Sequence, residues 1–145
     1  MDYLNNVEKN AKEICDGCCH SGTEQCNYRM CNIGFVSYVA KNIKDNSTYS
    51  IADGESLIPK RDLKYYDEKI IAHGIANICR LCKDCNENHS ENCVVALIRR
   101  SLEYTQLKDK IEYPGNVIMY LMNVSKQKPE FAELIKEEYM RVGQL

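Results

Sequence analysis

The chain has 145 residues, 44% of them hydrophobic and 28% charged, with a formal net charge of −2. Those values suit one domain with its own core and argue against wholesale disorder, and a near-neutral balance does not indicate nucleic acid as a partner. No apolar run approaches the roughly 18 residues needed to cross a bilayer, and the start MDYLNNVEKNAKE lacks an apolar signal core, so a cytoplasmic location without membrane association is expected.

Leu4, Val7, Ala11 and Ile14 recur at helical spacing and predict a first helix from Asp2 to about Cys15, broken by Gly17 and Gly22. A second helix is predicted from near Cys26 to about Lys44, with Ile33, Val36, Ala40 and Ile43 along one face. The stretch DNSTYSIADGES is polar and turn-rich and reads as a linker, about 47–60. Asp62 is a cap candidate for a third helix through Leu63, Tyr66, Ile70 and His73 to about Leu81, although Gly74 inside it costs about 1 kcal/mol relative to Ala. Ser90 is a cap candidate for a fourth, through Val94, Leu97, Ile98 and Leu102 to about Thr105. After Tyr113-Pro114-Gly115, the run NVIMYLMNV predicts a short, nearly all-apolar helix that is buried, with Met119, Leu121 and Met122 assigned to the core. Pro129 suits the first turn of a last helix, with Phe131, Leu134, Ile135 and Tyr139 as its inward stripe.

No strand alternation or hairpin signal is present. The expected architecture is a single all-α domain over 1–145. Two helical hairpins with cysteine-rich tips form pseudo-repeat halves, about 1–46 and 61–107, and two C-terminal helices cover about 114–143.

The nine cysteines are the outlier. Their odd number, in a chain with no export signal, fits metal binding better than a disulfide framework. The spacing Cys-x2-Cys-x7-Cys occurs twice, at Cys15, Cys18, Cys26 and at Cys82, Cys85, Cys93. Each copy falls where one predicted helix ends and the next begins. Cysteines three apart share a helix face, with Cβ atoms about 5–6 Å apart, so both sulfurs can reach one ion. The third returns at the start of the next helix, where backbone amides favour a thiolate. Cys31 and Cys79 supply the fourth ligands. The two sets are therefore Cys15, Cys18, Cys26, Cys31 and Cys79, Cys82, Cys85, Cys93, with Cys19, His20 and His89 as alternative ligands.

The run Cys79-x2-Cys82-x2-Cys85 with a later cysteine resembles the ligand run of 4Fe–4S ferredoxins. It departs from it in the seven residues before the last cysteine, the absent proline and the surrounding helices. Arg80, Lys83, Arg99 and Arg100 offset the charge of such a cluster or else line a solvated helix face. The set Cys82-x2-Cys85-x3-His89-x3-Cys93 is similar to a zinc knuckle, which implies a closed structural site. Copper(I) and redox thiols suit the same donors. No phosphate loop, His-Glu-x-x-His or nucleophile elbow is present, so whether the protein is an enzyme stays open. The leading expectation is two 4Fe–4S clusters for electron transfer or redox sensing with a protein redox or regulatory partner. The alternative is two Zn2+ ions in a structural adaptor or regulator that binds protein or nucleic acid. A metalloenzyme with an open coordination position ranks third.

Overall fold

Apolar residues at three- and four-residue spacing give each long segment one stripe to bury, and the segments fold as helices that pack stripe to stripe. The computed structural model describes residues 3–18, 26, 29–46, 50–60, 62, 65–84 and 93–143, with the backbone alone at 46 and 82–84. In chain order the helices are α1 (Tyr3–Asp16), α2 (Asn32–Asn46), α3 (Gly54–Leu57), α4 (Glu68–Asp84), α5 (Val94–Tyr104), α6 (Val117–Gln127) and α7 (Pro129–Val142). Among the described residues no strand forms, only an isolated antiparallel bridge between Ser50 and Cys93. The protein is all-α.

Helix α1 packs on α2, α2 on α5, α5 on α4 and α4 back on α1, so four helices close a ring of contacts. Their shared core includes Val7, Phe35, Val36, Ile71, Ile75 and Leu97, all with almost no exposure. Helix α7 lies against α4, and α6 lies against α7. Gly74 belongs to this packing. A Cβ there would sit 2.8 Å from Asn10 Oδ1 on α1 and 3.2 Å from Leu102 Cδ1 on α5. The helix gives up propensity at that point so that its neighbours can approach.

Several boundaries differ from expectation. Helix α2 starts at Asn32, six residues beyond Cys26, whereas α5 starts directly after Cys93, so the two halves differ at their second helices. Asp62 does not cap α4. That role falls to Asp67, whose carboxylate accepts from the backbone N–H groups of Lys69 at 2.9 Å and Ile70 at 3.2 Å. Asp62 instead reaches α2 and accepts from the Asn32 N–H at 2.9 Å. The residue type was right for a cap, but the helix it serves is 30 residues upstream.

The stretch 50–60 packs onto α5. Ile58 is buried, and Glu55 on α3 accepts from Arg100 at 2.7 Å. Helix α6 corrects the expectation of an all-round buried segment. Tyr120 and Val124 are fully covered, but Ile118, Met119 and Met122 are 70%, 51% and 61% exposed. Resting chiefly on α7, α6 can bury only one side.

Arg99 and Arg100 do not form a solvated face either. Both are buried. Arg99 Nε donates to Glu103 at 3.1 Å, and its guanidinium lies 5.0 Å from the ring centre of Tyr113 and 5.6 Å from that of Tyr120. The Tyr120 hydroxyl also donates to Glu103, at 2.5 Å.

A candidate thiolate site at the start of helix α2

Cys15 stands in the last turn of α1, and the chain turns immediately beyond it, with the Cys18 N–H donating to the Cys15 carbonyl at 3.1 Å. Cys31 directly precedes α2, and its carbonyl accepts from Phe35 N–H at 2.9 Å, the first bond of the helix. That makes Cys31 the N-cap, and its sulfur plays the usual capping part by accepting from Gly34 N–H at 3.4 Å. An amide donor and the positive end of a helix both favour a thiolate at this position.

Behind Cys31 lies a hydrogen-bonded chain. Cys31 Sγ is 3.4 Å from the Tyr66 hydroxyl, which donates to Asp62 Oδ2 at 2.5 Å. With the phenol proton committed to the carboxylate, the Cys31 thiol is the donor to the Tyr66 oxygen. Burial, then the hydrogen bonds to Asp62 and Cys31, push the Tyr66 pKa far above its ordinary value, so the phenol keeps its proton. Asp62 in turn holds the Asn32 N–H. The Asn32 side-chain amide donates to the Pro59 carbonyl at 2.7 Å and to Ser101 Oγ at 3.1 Å, and the Ser101 hydroxyl donates to the Asn32 carbonyl at 2.8 Å. The first residue of α2 is thus fastened to Asp62, to the 50–60 stretch and to α5.

Three cysteines of the first predicted set come within electrostatic reach of the fourth, Cys15. Burial pushes the Cys15 thiol up, and Cys31, Cys26 and Cys18 add to that in decreasing order, with Asp16 last. Cys15 and Cys18 are half-buried, Cys26 is exposed and Cys31 is buried. Mutual repulsion among several thiolates is the electrostatic problem that a bound cation removes, and a cation would reverse the direction of these shifts. Among the described residues, no three Cys, His, Asp or Glu side chains stand close enough as placed to clasp an ion.

The second predicted set is distributed differently. Cys79 is fully buried on α4, near enough to Tyr120 to raise its pKa, after the larger effects of burial and Glu103. Its surroundings are those of a small packing residue. Cys82 lies one turn further along α4. Cys93 is half-buried at the N-cap of α5, where its side chain makes no capping bond, and its backbone forms the bridge with Ser50. The Cys82 side chain, Cys85 and His89 lie outside the described residues, as do Cys19 and His20. Three of the basic residues predicted to offset cluster charge are engaged elsewhere, and the Lys83 side chain lies outside the described residues. Arg99 pairs with Glu103, Arg100 pairs with Glu55, and Arg80 lies 3.6 Å from the centre of the Tyr139 ring and donates to that residue's carbonyl at 2.6 Å.

Tyr66, Asp62 and Gly34 were not legible as site residues. Tyr66 and Asp62 read as parts of a third helix, because no short-range spacing links either of them to Cys31. Gly34 gave no signal either, since it supplies only a backbone amide that any residue but proline would carry. No protein-family model, curated protein or solved structure matches this chain.

Proposed function

We propose that this is a thiolate metal protein holding iron–sulfur clusters for electron transfer or redox sensing toward a protein partner. Cys15, Cys18, Cys26 and Cys31 would hold one cluster. By the repeated spacing, Cys82, Cys85 and Cys93 would hold a second, with Cys79, one turn before Cys82, as its fourth ligand. The observation that carries the proposal is the Cys31 sulfur, which caps a helix with an amide donor on one side and a phenol on the other, and which acts on Cys15 together with Cys18 and Cys26.

The donor set fits a soft metal centre, and a cluster bound there supplies one-electron exchange. The chain's own part is to tune and sense it. Gly34 N–H donates to Cys31, which lowers the charge on its sulfur. Tyr66, its proton held by Asp62, sets its hydroxyl 3.4 Å from the Cys31 sulfur and so gives a buried ligand a fixed polar neighbour. Exposed Cys26 keeps one edge of the site near solvent, where a partner can approach.

A structural zinc ion is the competing assignment. The anchoring of Asn32 by Asp62, Pro59 and Ser101 favours a redox role, because α2 has a fixed start that needs no metal to place it. The test is metal and sulfide content in Cys15→Ser and Cys31→Ser proteins, with far-UV circular dichroism in parallel. Loss of metal with helicity retained is the expected result. Wild-type metal content in both variants would overturn the first ligand set, and colourless zinc-loaded protein would replace the redox role with the structural one.

A further inference from the structure

Helices α6 and α7 leave an apolar groove of about 490 Å³ between them, bordered by Ile118, Leu121, Met122 and Met140, with Glu133 and Lys136 at its edge. The exposed apolar side chains that border it, Ile118, Met122 and Met140, leave roughly 400 Å² uncovered, within the range of the largest apolar patch on a soluble monomer. Two such faces in contact, with the Glu133 and Lys136 rim covered as well, would remove about 1,000 Å² from water, the least that a specific interface needs. Unbranched methionines can adapt to an irregular facing surface.

The charges on the rim indicate which surface that is. Glu133 and Lys136 are both exposed and stand three residues apart, on one side of α7. A twofold axis passing between them sets two α7 helices antiparallel. Each Glu133 then faces the other copy's Lys136, twice per pair, as an isologous interface requires. We infer that the α6–α7 face is a homodimer interface, with a second copy of this chain packed into the groove. None of the nine cysteines takes part, so this assignment stands or falls separately from the metal proposal.

The test is sedimentation velocity on the full chain from about 1 to 100 µM, a range that spans weak self-association. The expected result is a concentration-dependent monomer–dimer equilibrium that Met122→Glu abolishes. Glu133→Lys and Lys136→Glu each place like charges together at two contacts and should weaken the dimer by about tenfold. The double variant E133K/K136E restores opposite charges across the axis and should return the affinity to within about threefold of wild type. All three positions substituted are on the surface, and circular dichroism verifies that each variant is folded. A chain monomeric at every concentration would overturn the inference, including the case where another protein's helix fills the groove. So would a dimer indifferent to Met122→Glu, or a double variant no tighter than the single ones.

Discussion

Replacing Glu103 with Ala tests how the molecule tolerates charge in its core. The Arg99 and Glu103 side chains are each only 4% exposed, and Tyr120 beside them is fully buried. Burial lifts the Glu103 carboxyl while Arg99 and the Tyr120 hydroxyl pull it back, so the intact pair adds little net stability. Removing the carboxylate is different, because a buried guanidinium then loses its ion-pair partner. Breaking such a pair costs about 3–5 kcal/mol, and the Tyr120 hydroxyl losing its acceptor adds about 1–3 kcal/mol. Cation–π contact with Tyr113 and Tyr120 returns about 1–2 kcal/mol of that. The expected loss is about 4 kcal/mol, a large share of a typical 5–15 kcal/mol total. Urea unfolding followed by circular dichroism should show the midpoint falling by about 2 M, for a slope of about 2 kcal/mol per M. Arg99→Met combined with Glu103→Leu should recover most of the loss. A single-variant loss below about 1 kcal/mol, or a double variant no better than the single one, would refute the burial of this pair.

Gly74→Ala gains about 1 kcal/mol of helix propensity, but its Cβ meets Asn10, which cannot swing aside without giving up its bond to the Ile70 carbonyl. A net loss of about 1–2 kcal/mol is expected, and a raised melting temperature would contradict it. Glu138→Gln should flatten the acid limb of the stability curve. Burial alone would raise the Glu138 carboxyl, but hydrogen bonds from Arg141 and His73 and their charges hold it below its ordinary 4.5. A depressed carboxyl contributes stability above the unfolded value, and that contribution is lost as pH falls below 4.5 toward the folded pKa. Unchanged pH dependence below that point would show that Glu138 is not a contributor. Tyr66→Phe removes the hydroxyl behind Cys31 and should speed metal loss to a chelator by about tenfold or more, at a stability cost of about 1 kcal/mol. Loss at the wild-type rate would reduce Tyr66 to a packing residue.

The helices were legible because amphipathic periodicity is a local signal, and six of the seven described elements follow an apolar stripe visible in the sequence. The exception, α3, is a single turn, too short to show a period. Ends were less legible because capping depends on tertiary contacts. Asp62 carries the side chain of a cap but serves α2, and the break after Cys15 gave no hint that α2 waits until Asn32. The burial of α6 was misjudged because an apolar run gives the hydrophobicity of a helix but not how many neighbours it has. Spacing suggested the grouping of Cys15, Cys18, Cys26 and Cys31, and the effect of the other three on Cys15 is in keeping with it. Their chemical environment could not be read from spacing, since Tyr66 reaches Cys31 across 35 positions. The same distance dependence hid the partners of Arg99 and Arg100, which one-dimensional charge placed on a surface.

The central claim is tested most directly by the composition of the protein as the cell makes it. Anaerobic purification without a metal-affinity tag, followed by iron, zinc and acid-labile sulfide analysis and a visible spectrum, gives that composition. About eight irons and eight sulfides per chain are predicted for two 4Fe–4S clusters, with broad visible absorption that bleaches on reduction. A colourless protein carrying about two zinc ions and no sulfide would contradict the redox assignment.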